Sequence, residues 1–97
     1  MKPVVFLDAA MAEFEAAAEY YEQRVSGLGV EFQKDVAVAV HKIQDSPLCW
    51  MPYSKRNRRL LLHRFPYLVI FSELEDKILI VAVAHGKRRP GYWHGRI

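Results

Sequence analysis

The sequence is poor in cysteine and in the closely spaced histidines that metal centres use. Cys49 is the only cysteine among 97 residues, so no disulfide can form within the chain. The histidines are His41, His63, His85 and His94, and they show none of the ligand spacings of zinc sites. We therefore expect no metal and no other cofactor. A single thiol fits a reducing compartment, so the expected location is the cytoplasm.

Long apolar runs are also missing. No stretch approaches the roughly 18 residues that cross a bilayer, and MKPVVFLDAAM reaches acidic residues too early for a signal peptide. No glycine-rich phosphate loop and no Ser-His-Asp or Cys-His motif is present. Internal repeats, linkers and low-complexity tracts are lacking too. These absences predict a single globular domain over residues 1–97 with no membrane partner.

The net charge of +3 conceals a strong asymmetry. Residues 1–50 carry four Lys/Arg and eight Asp/Glu, a net charge of −4, whereas residues 51–97 carry ten Lys/Arg and three Asp/Glu, a net charge of +7. This division predicts an acidic layer and a basic layer that meets an anionic partner. The alternative is a charge asymmetry that serves solubility and has no partner.

Two helices are predicted from apolar residues that recur at three- and four-residue steps. Asp8 is expected to cap the first helix, whose apolar stripe comprises Met11, Phe14, Ala18, Tyr21 and Val25. The second helix ends before Pro47, and its stripe comprises Leu28, Phe32, Val36, Ala39 or Val40, and Ile43. The break SGLG between them is short, which predicts an antiparallel helical hairpin.

Four segments are typical of strands because they are rich in β-branched and aromatic residues. They are PVVFL (3–7), RRLLLHR (58–64), YLVIFSEL (67–74) and KILIVAVAH (77–85). Only Glu75–Asp76 separates the last two, which predicts a β-hairpin. The expected fold is α+β with the order β-α-α-β-β-β, a helical hairpin packed on a mostly antiparallel four-stranded sheet.

Cations cluster around the second and fourth of these strands. They are Lys55, Arg56, Arg58, Arg59, Arg64, Lys87, Arg88 and Arg89. Arginine binds phosphate or carboxylate in a bidentate manner, and Tyr67, Tyr92 and Trp93 could stack nucleic-acid bases beside it. The alternative is a solvated charged surface with Trp93 folded onto the core, the more common place for a tryptophan. His85 is either a general base beside these cations or an ordinary strand-end residue.

Three segments together resemble the RelE/ParE superfamily of bacterial toxins. They are EAAAEYYEQRVSGLGVEFQKDV, RRLLLHRFPYLVIF and ILIVAVAHGKRRPGYW, and the resemblance extends over essentially the whole chain. It implies the same α+β fold and a toxin of a type II toxin–antitoxin system, neutralised by a cognate antitoxin. RelE-like members cut mRNA in the ribosomal A site, whereas ParE-like members inhibit DNA gyrase.

The resemblance implies different site residues for the two branches. RelE-like nucleases hold an arginine where this sequence has Leu68 in YLVIF, which favours the ParE-like branch. The remaining nuclease positions could be filled by Arg58, Arg59, Arg64, His85, Arg88 and Tyr92. The basic face for target binding would comprise Lys55, Arg56, Lys87 and Arg89. Gyrase inhibition is therefore the first hypothesis, ribosome-dependent mRNA cleavage the second, and a non-toxic binding module the third.

Overall fold

The computed structural model describes residues 1–96. Helices α1 (Asp8–Arg24) and α2 (Leu28–Asp45) form a hairpin, and Pro47–Cys49 adds one 3-10 turn. The strands are β1 (Val4–Phe6), β2 (Met51–Pro52), β3 (Arg58–Leu61), β4 (Tyr67–Glu73) and β5 (Ile78–His85). Within the described residues, neither helix is long and apolar enough to cross a bilayer.

The strands form one sheet in the order β1-β5-β4-β3-β2. β1 runs parallel to β5, and every other neighbouring pair is antiparallel. The predicted fold class is confirmed, but the prediction of four strands was wrong, since residues 1–96 form five. The additional strand β2 pairs Met51 with Arg59 and Pro52 with Arg58. Its two residues are too few to show a periodicity, and its proline is tolerated because β2 lies at the sheet edge.

The helical hairpin covers one face of the sheet. Phe32, Val36 and Ile43 of α2 are almost fully buried against sheet residues that include Phe71 and Ile80. The predicted stripe of α2 is therefore confirmed. Burial of this apolar area provides the main driving force for folding.

Two details of the α1 prediction were wrong. Val25 is 58% exposed, because the helix ends at Arg24 and the backbone at Val25 is extended. Asp8 lies in the first helical turn, while Leu7 occupies the N-cap position and makes no side-chain capping bond. Asp8 still stabilises the helix through its charge, which lies near the positive end of the helix dipole.

The opposite side of the sheet, called the far face below, has a smaller core of its own. Its fully buried residues include Ile70 of β4 and Ala82 of β5, with Trp93 seated over them at 3% exposure. Trp93 comes from the segment after β5, which folds back over the sheet. The expectation that Trp93 packs onto the core is confirmed, and it explains why both faces of β4 and β5 are apolar.

Candidate functional site

Three aromatic side chains form a row on the far face. The ring of Trp93 lies 5.2 Å from that of Tyr53 and 5.4 Å from that of Tyr92, measured between centroids. Tyr53 precedes β3, whereas Tyr92 and Trp93 follow β5, so the row joins two segments that are distant in the chain. This aromatic row is the centre of the candidate site.

An arginine lies over each end of the aromatic row. Arg59 places its guanidinium carbon 4.5 Å from the centroid of Tyr53, and Arg88 places its own 4.0 Å from that of Tyr92. Both distances are within the range of cation–π attraction. Arg59 and Arg88 are thus brought onto one surface by stacked rings, with each guanidinium ordered against a tyrosine.

Glu13 of α1 anchors the segment that carries Tyr92 and Trp93. Its carboxylate accepts two hydrogen bonds from the Arg96 guanidinium, at 2.9 and 3.0 Å, and one from the Tyr92 hydroxyl at 2.5 Å. It also accepts a bond from the Val83 amide at 3.1 Å, while Arg96 donates to the Val81 carbonyl at 3.0 Å. The pairing of β1 with β5 ends at Phe6↔Ile80. Beyond the end of β1, the side chains of Glu13 and Arg96 therefore provide hydrogen-bond partners for the edge of β5, at the Val83 amide and the Val81 carbonyl.

These contacts shift the pKa values of Glu13 and Tyr92 in opposite directions. Burial alone would raise the pKa of Glu13, but the bonds from Arg96, Tyr92 and Val83 together hold it below its ordinary value of 4.5. Burial and the bond to the Glu13 carboxylate raise the pKa of Tyr92 well above its ordinary value of 10.0. Near neutral pH, Glu13 is therefore ionised and Tyr92 keeps its proton.

Three of the predicted nuclease residues lie away from the aromatic row. Arg58 points to the helix-covered face, and its guanidinium donates to the Trp50 carbonyl at 2.7 Å. Arg64 forms an exposed ion pair of 3.0 Å with Glu31 of α2.

His85, the third of them, ends β5 on the helix-covered face. Its ring lies 5.1 Å from that of Tyr67, directly opposite on β4. Its Nδ1 atom accepts a bond from the Lys87 amide at 3.0 Å. Because Nδ1 is occupied in this way, only Nε2 of the His85 ring is left to form a hydrogen bond with a partner.

The predicted basic-face residues divide between two loops, and all four are exposed. Lys55 and Arg56 lie in the turn before β3, which is held by a 3.0 Å bond from the Ser72 hydroxyl to the Arg56 carbonyl. Lys87 and Arg89 lie in the turn after β5. The Tyr53–Asn57 turn is closed by backbone bonds from the Tyr53 and Ser54 amides to the Asn57 carbonyl.

Glu13, Tyr53, Asn57 and Arg96 are site residues that sequence reasoning missed. Glu13 falls off the apolar stripe of α1, which is typical of a solvated acid, yet its partner Arg96 is 83 residues away in the chain. No local pattern signals such a contact. Asn57 offered one signal, since it is the only uncharged residue in a run of cations in the turn from Lys55 to Arg59.

Among residues 1–96, no group of three or more His, Cys, Asp and Glu side chains could hold a metal ion.

Comparison with known families agrees with this architecture. Residues 4–90 match a family model described as the ParE toxin of the type II toxin–antitoxin system parDE. The chain belongs to the ParE toxin family. It is therefore a RelE/ParE-superfamily toxin of the type II class, as the resemblance predicted. The match ends at Pro90, so Tyr92, Trp93 and Arg96 lie beyond the residues that the family model matches.

A solved structure has the same fold. It comes from the chromosomal ParDE toxin–antitoxin system of P. aeruginosa and superposes with a TM-score of 0.74 at 19% sequence identity. The superposition covers 88% of this ParE-family chain and 96% of the other. No curated protein matches the sequence.

Proposed function

We propose that this ParE-family toxin inhibits growth by binding DNA gyrase, and that a cognate antitoxin neutralises it. The observation that carries the proposal is the position of Leu68. Its side chain is partly buried and packs against the apolar core of the far face, opposite Ala84 of β5. Leucine at this position supplies no cation for RNA cleavage, whereas RelE-like nucleases hold an arginine there.

The arrangement of the other candidate catalytic groups supports the same conclusion. Metal-independent RNA cleavage needs a base, an acid and cations around one phosphate. Arg58 donates to a backbone carbonyl on the opposite face of the sheet from Arg59 and Arg88. The proton of the Tyr92 hydroxyl is engaged in a hydrogen bond to Glu13, so Tyr92 could protonate a leaving group only after that bond was broken. Binding to a protein target, in contrast, needs only the exposed cations and the ordered arginines.

An apolar groove between α2 and β3 supports the antitoxin part of the proposal. Val38 and Leu61 line it and are 53% and 66% exposed. Exposed apolar surface of this kind is typical of a protein interaction site. The basic C-terminal half should add electrostatic attraction for an acidic antitoxin segment, so the affinity should fall as salt rises.

A DNA supercoiling assay with purified gyrase tests the proposal. We expect inhibition by the purified toxin, and reversal when the antitoxin from the neighbouring reading frame is added. Arg59→Ala and Arg88→Ala should weaken inhibition, because these arginines lie ordered at the two ends of the aromatic row. Lys34→Ala is the matched control, since it removes an exposed cation from α2.

Two parallel measurements separate the alternatives. Primer extension on translated mRNA would show codon-linked cuts, lost in Arg88→Ala, if the toxin were a ribosome-dependent nuclease. Induced expression without growth arrest would indicate a non-toxic binding module. Undisturbed supercoiling at micromolar toxin would contradict gyrase inhibition.

A further inference from the structure

Arg88 is an exposed cation at one end of the aromatic row. It forms no ion pair with any acid in residues 1–96. Its guanidinium carbon lies 4.0 Å from the centroid of the Tyr92 ring, which is close enough for cation–π attraction. The side chain of Arg88 is therefore ordered by Tyr92, while its charge is left for a binding partner.

The backbone turns sharply between Arg88 and Tyr92. Pro90 and Gly91 lie in the bend, and Gly91 has a positive φ of 83°, which glycine adopts without strain. The Tyr92 amide donates to the Arg89 carbonyl at 3.3 Å across the bend. This turn brings the Tyr92 ring back against the guanidinium of Arg88.

Glu13 of α1 holds the Tyr92 ring from its hydroxyl end. Its carboxylate accepts a hydrogen bond from the Tyr92 hydroxyl at 2.5 Å. The ring itself packs edge-on against Trp93, with an interplanar angle of 80°. A hydrogen bond to a carboxylate also increases the electron density of a phenol ring, which strengthens its attraction for a cation. Tyr92 is thus held at both its hydroxyl and its ring, and it offers Arg88 a fixed surface.

Arg59, at the other end of the aromatic row, is held by different residues. Its guanidinium carbon lies 4.5 Å from the centroid of Tyr53, and one guanidinium nitrogen lies 3.2 Å from the sulfur of Met51. Neither contact involves Tyr92. The two arginines therefore have separate supports, so Arg59 provides an internal control for any effect of Tyr92 on Arg88.

We propose that Tyr92, anchored by Glu13, is a positioning residue that orders Arg88 for binding to the target of the toxin. The inference rests on the proposed function, in which Arg88 takes part in target binding. An arginine side chain loses conformational freedom when it binds, which costs affinity. Stacking on Tyr92 removes part of that freedom already in the free toxin, so less is lost on binding. The expected gain is about two- to tenfold in affinity.

The part of Tyr92 that acts on Arg88 is the ring, since the hydroxyl is bound to Glu13. A substitution that keeps the ring should keep most of the effect, and one that removes the ring should not. Tyr92 also lies beyond residues 4–90, the part of the chain that the ParE family model matches. The effect is therefore expected from the C-terminal segment of this chain rather than from the residues that define the family.

An NMR signal of Arg88 reports its position directly. A guanidinium that lies over an aromatic ring has its Nε–H proton shifted to lower frequency by the ring current. In two-dimensional 15N spectra we expect such a shift for Arg88, with Arg88→Lys used to assign the signal. The shift should persist in Tyr92→Phe and disappear in Tyr92→Leu. Circular dichroism checks that each variant is folded.

A double-mutant cycle links the contact to target binding. Tyr92→Leu should raise the toxin concentration that half-inhibits gyrase supercoiling by about two- to tenfold. In an Arg88→Ala background the same substitution should have no further effect, because it acts through Arg88. In an Arg59→Ala background its full effect should remain. Tyr20→Leu is the matched control, since it removes an exposed tyrosine of α1 that carries Arg24 at 4.7 Å, and it should leave inhibition unchanged.

Three results would overturn the inference. One is an Arg88 signal in the wild type at the frequency of an unstacked arginine. Another is an equal loss of inhibition from Tyr92→Leu with and without Arg88. The third is a loss in Tyr92→Phe as large as that in Tyr92→Leu, which would assign the role to the hydroxyl. The NMR measurement does not involve gyrase. If the wild-type toxin leaves supercoiling undisturbed, the proposed function fails, while the Arg88 signal still decides whether Tyr92 positions Arg88.

Discussion

The contact between Glu13 and Arg96 gives a sharp stability prediction. The wild-type Glu13 carboxylate accepts hydrogen bonds from both Arg96 and Tyr92. Glu13→Gln removes the negative charge and replaces one accepting oxygen with an NH₂ group, which faces these donors and cannot accept from them. Breaking a fully buried ion pair costs about 3–5 kcal/mol. The side chains of Glu13 and Arg96 are 17% and 21% exposed, which reduces that cost. We therefore expect a loss of about 2–3 kcal/mol in the free energy of unfolding.

Urea denaturation at pH 7, with a thermal scan in parallel, measures this loss. For a domain of this size the melting temperature should fall by roughly 10–20 °C. Glu15→Gln is the matched control, since Glu15 is an exposed acid on the same helix. That control should remain within about 0.5 kcal/mol of the wild type.

The difference in free energy of unfolding between wild type and Glu13→Gln should depend on pH in a definite direction. The pKa of Glu13 lies below its ordinary value of 4.5 in the folded protein, so folding favours the ionised carboxylate. Its contribution is complete above about pH 4.5 and is lost as the pH falls through the folded-state pKa. The gap between wild type and Glu13→Gln should therefore narrow in acid. A gap of the same size at pH 7 and at about pH 3 would refute this reasoning, as would a pH 7 loss below about 0.5 kcal/mol.

Three further substitutions test the packing. Gly29→Ala should destabilise the helical hairpin by about 1–3 kcal/mol in urea denaturation, because the new methyl group would collide with the Ala18 carbonyl oxygen. Phe32→Ala should cost about 3–5 kcal/mol by the same measurement, since Phe32 is fully buried between the layers; a smaller loss would show that the core collapses around the cavity. Arg58→Met should cost about 1–2 kcal/mol, because the Trp50 carbonyl loses a charged donor at 2.7 Å; an unchanged midpoint would mean that water replaces this donor.

The secondary structure was predictable because it depends on local patterns. The stripe from Leu28 to Ile43 has the period of a helix, and the runs around Val69 and Val81 have the composition of buried strands. The limits of this reasoning appear at Met51–Pro52. A strand of two residues exists only through its pairing with β3, so its own sequence carries no signal.

The candidate site was predictable in composition but not in arrangement. Residue types identified a basic, aromatic surface, and Arg59, Arg88 and Tyr92 do meet through the aromatic row. Arg58 and Arg59 are neighbours in the chain, yet they point to opposite faces, because side chains alternate along a strand. Which of these faces the helices would cover depends on tertiary packing.

The sequence by itself determined the elements, their order and the charge asymmetry, because periodicity, propensity and composition are properties of adjacent residues. Only the tertiary structure decided which polar groups find partners. The carboxylate of Glu13 binds Arg96 across 83 residues, and the Ser72 hydroxyl donates to the Arg56 carbonyl of the turn before β3. A hydrogen bond requires two groups within about 3 Å, and for residues so distant in the chain that proximity is set by the packing of the whole molecule.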